Sequence, residues 1–320
     1  MDWIVALIFS VAAAVVPTLV YVFIFYWADR YEREPRFLLA VAFLWGAVPA
    51  IIVSLISQIV LGIPLGDPND GLANNLAMGV LIAPITEEIF KAAALYLIYR
   101  WRRHEFDGVL DGLLYGALVG FGFAMTENFL YFVGAYGEGG FGELTVVVIL
   151  RAVIFGLNHA FYTGLIGIGF GLARTTPRPA MRKVWPILGL LAGILVHAIH
   201  NLSVSITEIF PFSFLVSLLL AGSGLLLIFL VILLSWQHER KIIRTELAGE
   251  LGVVLSADEL ETLLGKWRQP ISRKAPGTQR RQQLAQLALR KHRLRRVGTA
   301  REPHLTAEID RLRQALSQLA

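Results

Sequence analysis

The chain has 320 residues, no cysteine, 56% hydrophobic and only 17% charged residues, and a mean hydropathy of +0.61. That balance excludes an ordinary soluble domain and implies a polytopic membrane protein. The lack of thiols excludes disulfides, thiolate metal sites and cysteine nucleophiles, so any metal would need His, Glu, Asp or Asn ligands. The net charge of +5 conceals an asymmetry: residues 1–235 carry 12 Lys/Arg against 15 Asp/Glu, and residues 236–320 carry 17 against 9.

Apolar runs long enough to cross a hydrocarbon core of about 30 Å fall near residues 2–27, 37–63, 76–98, 109–133, 145–172, 185–208 and 212–235. The expected fold is therefore all-α, a membrane helical bundle of about seven transmembrane helices. The first run lacks a basic leader and is too long for a cleavable signal, so it is expected to be retained. Pro84 and the glycine-rich stretch 164–171 are the places where a span could break. The loops "ADRYEREPR", "YRWRRHEFD" and "ARTTPRPAMRK" hold ten basic residues, whereas "LGDPNDGLANN", "GAYGEGGFGE" and "TEIFPF" hold none. The positive-inside rule then places the N-terminus outside and the C-terminus in the cytoplasm.

The third run is unusual. "APITEEIFKAAAL", residues 83–95, sets Glu87, Glu88 and Lys91 among Ala, Ile, Leu and Phe. An ionisable group at mid-bilayer costs at least about 2.5–3.5 kcal/mol, so it is normally functional or tightly paired. Lys91 follows Glu87 by four residues and Glu88 by three, which puts all three on one helix face. The fourth run carries Glu127 and Asn128, the fifth Arg151 and His159, and the sixth His197 and Asn201 at i,i+4. At 1.5 Å per residue all of these lie roughly 9–20 Å below the outer face. Four helices thus offer polar side chains at overlapping depth, and the small residues around them, "YGALVGFGFA" and "TGLIGIGFG", allow close helix approach.

Two carboxylates, two imidazoles and a carboxamide suit peptide hydrolysis. That reaction needs an activated water, donors for the oxyanion and a proton for the leaving amine. A glutamate can activate the water with His and Asn as donors; alternatively Glu88, His159 and His197 can hold a zinc ion. Spacing does not separate the two, and the "HExxH" signature is absent. Each residue also has a structural reading. Glu87 and Lys91 make a register-fixing ion pair, Glu127 and Arg151 a structural or gating pair, and His159 or Asn201 alone an interhelical hydrogen bond.

After Trp236 the composition changes, dividing the chain into a membrane domain over residues 1–236 and a basic amphipathic cytoplasmic tail over 237–320. Leu305, Ile309, Leu312, Leu316 and Leu319 recur at helical spacing. A break is expected at "RQPISRKAPGTQ". The expected partner of this partly ordered tail is anionic lipid headgroups, and no nucleic acid.

The stretches "EEIFK" at 87–91, "DGLLYGALVGFGFAMTEN" at 111–128, "NHAFYTGLIGIGFG" at 158–171 and "HAIHN" at 197–201 occur in order on consecutive helices. Together they resemble the PrsW family of intramembrane proteases, relatives of the CPBP superfamily that includes the CAAX prenyl endopeptidases. The resemblance covers roughly residues 80–205 and makes the first domain protease-like. It implies an endopeptidase of the bacterial plasma membrane, multi-pass, that cleaves a single-span, anti-sigma-factor-like membrane protein near its extracytoplasmic side. By motif position it implies a catalytic set of Glu87, Glu88, His159, His197 and Asn201, with Lys91, Glu127, Asn128 and Arg151 in support. The lysine after the glutamate pair, where CPBP relatives have an arginine one residue further on, favours PrsW. The rival readings are a proton- or cation-coupled transporter, a CAAX-type prenyl-protein endopeptidase and a non-enzymatic membrane scaffold.

Overall fold

The computed structural model describes residues 2–29, 31, 33–65, 71–102, 105–265, 278–298 and 303–318. Among them the chain is helical, and the contacts divide it into two compact units: residues 2–28 with 34–231, and residues 29–33 with 232 onward.

The first unit begins with α1 (Asp2–Ala28) and α2 (Arg36–Trp45), which passes through a π-helical turn at Gly46–Ala50 into α3 (Ile51–Gly62). Then come the short α4 (Leu72–Leu76), a second π-helical turn at Ala77–Ile82, and α5 (Ala83–Trp101). Helix α6 (Val109–Val148) bends where Gly139 and Gly140 leave helical geometry, Gly140 at φ 66°. Glycine alone adopts that backbone freely. A third π-helical turn, Ile149–Ile154, leads through a break at Phe155–Leu157 into α7 (Asn158–Thr175). Helices α8 (Met181–Ser205) and α9 (Ser213–Leu247) follow.

Among the described residues, five stretches are long and apolar enough to cross a membrane: Asp2–Ala28, Arg36–Leu65, Val109–Thr175, Met181–Ser205 and Ser213–Glu250. The third, at 67 residues, holds the reversal at Gly139–Gly140. Its two arms run antiparallel in close contact. A Cβ on Gly112 would stand 2.1 Å from the Gly167 carbonyl oxygen, and one on Gly120 would stand 2.3 Å from that of His159. No side chain fits at either distance. The glycines of the expected cleft are therefore what lets α6 and α7 touch backbone to backbone, with His159 at the contact.

The second unit has its own apolar core, with Ile243, Leu247, Leu260, Leu263, Leu284, Leu287, Ile309 and Leu316 among its buried members. They come from the end of α9, α10 (Ala257–Leu264), α11 (Thr278–Val297) and α12 (His304–Gln318). The leucine periodicity read in the tail is the inner face of α12: Leu305, Ile309 and Leu316 are buried, and Leu312 packs against the core. Helix α10 starts with a capping box, Ser256 accepting from the Glu259 N–H while Glu259 accepts from that of Ser256. The expected break at 268–279 falls almost wholly outside the described residues, and Leu319 does so entirely.

Candidate active site

The site is built around the Lys91 ammonium, which is fully buried on α5. Removing such a charge from water costs several kcal/mol unless partners replace the hydration. Here the partners are a Glu88 oxygen at 2.8 Å, a Glu87 oxygen at 3.4 Å, the His159 Nδ1 at 3.0 Å and the face of the Phe123 ring, 3.7 Å from its centre. One turn of α5 therefore presents the lysine and both carboxylates together, as their spacing requires, and α7 brings the imidazole.

Glu88 is saturated. One oxygen accepts from Lys91 and from His197 Nδ1 at 3.0 Å, while the other accepts from the Thr163 hydroxyl at 3.0 Å. Glu87 is freer. One of its oxygens accepts from the Gln58 carboxamide at 3.2 Å. The other, besides its long contact with Lys91, stands 3.9 Å from His197 Nε2, beyond hydrogen-bond reach. Its side chain retains 6% exposure, whereas that of Glu88 retains none.

The hydrogen-bond partners fix the imidazole protons. An ammonium only donates, so His159 Nδ1 must accept, and His159 Nε2 carries the hydrogen given to Glu127 at 2.9 Å. Glu127 is held in turn by Arg151, which also donates to the Asn128 carboxamide oxygen at 3.0 Å and stacks over Tyr131. A carboxylate only accepts, so His197 Nδ1 carries hydrogen, while its Nε2 faces Glu87 at 3.9 Å. The Tyr162 ring stacks on His197, centroids 4.6 Å apart, fixing the imidazole plane.

Of the residues singled out in the sequence, Glu87, Glu88, Lys91, His159 and His197 meet in one cluster, and Glu127, Arg151 and Asn128 extend it outward as a chain of bonds. Asn201 stands apart, its carboxamide nitrogen donating to the backbone carbonyl of Gly79 at 2.8 Å. Two members escaped the sequence reading. Gln58 is the one carboxamide in the apolar stretch "IIVSLISQIVLG", and Thr163 lies four residues after His159 on the same helix face. Their one signal in the sequence is a polar side chain in an apolar helix, which does not name its partner.

Glu87, Glu88, His159 and His197 each offer one ligand atom within 4.8 Å of the others. Two carboxylates and two imidazoles match the donors zinc takes, and a carboxylate bonded to the far nitrogen of a ligating histidine, as Glu127 is to His159, is the usual outer support. The residues therefore fit a divalent ion. The Lys91 ammonium contacts three of the four, so the two cations compete for the same electron pairs.

Residues 34–235 match the model of the PrsW family intramembrane metalloproteases. Curated relatives include the protease PrsW of Geobacillus kaustophilus, 26% identical over 60% of this chain and 77% of the relative. The Halalkalibacterium halodurans protease PrsW is 28% identical over 59% and 80%, and that of Bacillus subtilis 28% identical over 60% and 80%. No solved structure matches.

Proposed function

The chain belongs to the PrsW family of intramembrane metalloproteases, and we propose that it hydrolyses a peptide bond of a single-span membrane protein, of anti-sigma-factor type, near its extracytoplasmic side. The observation that carries this reading is the convergence of Glu87, Glu88, His159 and His197 around Lys91 inside an apolar bundle. The bundle crosses the bilayer seven times with its C-terminus in the cytoplasm. Support for that count comes from the five long apolar stretches, one of which folds into two antiparallel arms, and from the helical run Leu72–Trp101, whose apolar character is interrupted by the site's own charges. The basic tail unit, residues 237–320, meets anionic lipid headgroups.

Glu87 is the general base. Its oxygens are held only by Gln58 at 3.2 Å and Lys91 at 3.4 Å and it has the only exposure of the pair, whereas Glu88 is spent on Lys91, His197 and Thr163 at 2.8–3.0 Å. Glu87 takes the proton of the attacking water, and His197, whose Nε2 faces it, relays that proton to the leaving amine. The Lys91 ammonium, held by Glu88 and His159, supplies fixed positive charge where the tetrahedral oxyanion forms. Glu127 and Arg151 keep His159 in the tautomer that this arrangement needs. A divalent ion of the zinc class, held by Glu87, Glu88, His159 and His197, supplies Lewis-acid polarisation when bound.

The test is cleavage of a panel of single-span peptides by the reconstituted protein, with and without chelator, beside Glu88→Gln. Cleavage by the parent, its loss on chelation with recovery on added zinc, and a loss of about 10²-fold or more in Glu88→Gln are expected. Ion flux without proteolysis would replace this reading with a transporter.

A further inference from the structure

Helix α5 is entered through the π-helical turn Ala77–Ile82, in which the Ala83 N–H reaches back five residues to the Met78 carbonyl. The next bond in that ladder would run from residue 84 to the Gly79 carbonyl, but residue 84 is proline and has no N–H. The donor four residues after Gly79 is Ala83, already committed to Met78. Gly79 therefore carries a carbonyl that its own helix leaves without a backbone donor, and such a group takes a partner from elsewhere. The Asn201 carboxamide, from α8, donates to that carbonyl at 2.8 Å.

We propose that Asn201 is a positioning residue that acts through the Gly79 carbonyl: it replaces the hydrogen bond forfeited at Pro84 and so fixes the turn from which Glu87 and Glu88 project. Three residues separate Pro84 from Glu87, less than one helical turn. Asn201 and His197 are one turn apart on α8, so the same helix that orients Glu88 through His197 anchors the start of α5 through Asn201. Two bonds from one helix face thus set both the height and the rotation of α5 at the site. This inference rests on the proteolytic reading for its activity readout, but its structural readout is independent of that reading.

The experiment compares the parent, Asn201→Ala, Pro84→Ala, the double variant and Glu88→Gln as a control, in the full reconstituted chain. Backbone hydrogen exchange is followed over residues 77–88 and peptide cleavage is measured in parallel. Exchange in this segment is expected to accelerate in Asn201→Ala and to stay at the parent rate in Glu88→Gln. Cleavage is expected to fall about 100-fold in Asn201→Ala, the effect of a displacement of about 1 Å at the reacting groups. Adding Pro84→Ala restores a backbone donor for Gly79 and is expected to slow the exchange again and recover at least about tenfold of the activity. Parent-like exchange in Asn201→Ala overturns the proposal. So does a double variant no more active than Asn201→Ala while Pro84→Ala alone is active, since that assigns the amide to the reacting carbonyl instead. If Pro84→Ala alone is inactive, exchange decides. A parent that cleaves nothing counts against the proteolytic reading alone.

Discussion

Each of the two units encloses a cation, Lys91 fully and Arg280 partly, and the two have different kinds of partner. In the membrane unit Lys91 rests on the Phe123 ring, and its hydrogen-bond partners are side chains that can themselves gain or lose a proton or bind a metal: Glu87, Glu88 and His159. In the tail unit Arg280, with 13% of its side chain exposed, donates to the carbonyls of Val254 and Leu316 at 2.7 and 2.6 Å and to Glu259 at 2.8 Å. The guanidinium is a rigid fork that ties three backbone segments together; the ammonium is a point charge that sets the electrostatics of its neighbours. Arg280 also holds the Glu259 carboxyl below its usual range, but that carboxylate is 39% exposed and the pair is solvated on one side. The two surroundings differ in what they can do: the bonding partners of Lys91 can exchange protons or bind a metal, whereas those of Arg280 are mainly backbone.

This contrast can be broken by substitution. A large effect on turnover without removing any ionisable group is expected from Gly120→Ala, because the new methyl would stand 2.3 Å from the His159 carbonyl and displace that residue from Lys91. A fall of about 100-fold in cleavage, with the protein still extracted as a monodisperse bundle, is the expected result. Thr163→Val leaves one Glu88 oxygen without its donor; a loss of about 1–2 kcal/mol, some tenfold in kcat, should appear in steady-state kinetics. Arg280→Ala should not change cleavage in proteoliposomes. It should destabilise the tail unit by about 1–3 kcal/mol, measured by urea-dependent protease sensitivity of the C-terminal segment in the full chain. An Arg280 variant as inactive as the Gly120 one would erase the distinction between the two hubs.

Much of the site was legible in the sequence because charges in apolar runs are conspicuous. Glu87, Glu88, Lys91, His159 and His197 announce themselves against their neighbours, and helical spacing puts the first three on one face. Gln58 and Thr163 were not legible, because an uncharged amide or hydroxyl in a membrane helix is cheap enough to be unremarked until its partner is known. The π-helical turns and the break at Phe155–Leu157 were also hidden. Two of the turns lie at a proline, Pro49 within Gly46–Ala50 and Pro84 just after Ala77–Ile82, but a proline marks an irregularity without naming the bonding register that results. Pro84 did mark one of these places, although the sequence alone could not say which residue would supply the missing donor. The compact tail core was concealed for a different reason: its apolar residues are spread over four helices among many charges, so no single segment announces a core.

The most direct test of the central claim is hydrolysis in ¹⁸O-labelled water, with mass spectrometry of the products from a single-span peptide cleaved by the reconstituted parent and by Glu87→Gln. The account predicts a new C-terminal carboxylate carrying one ¹⁸O, located within the spanning segment, and a fall of about 10²- to 10⁴-fold in its formation by the variant. Labelled product released equally by both proteins would contradict it, because the bond would then be cut without the more loosely held carboxylate that is proposed to activate water.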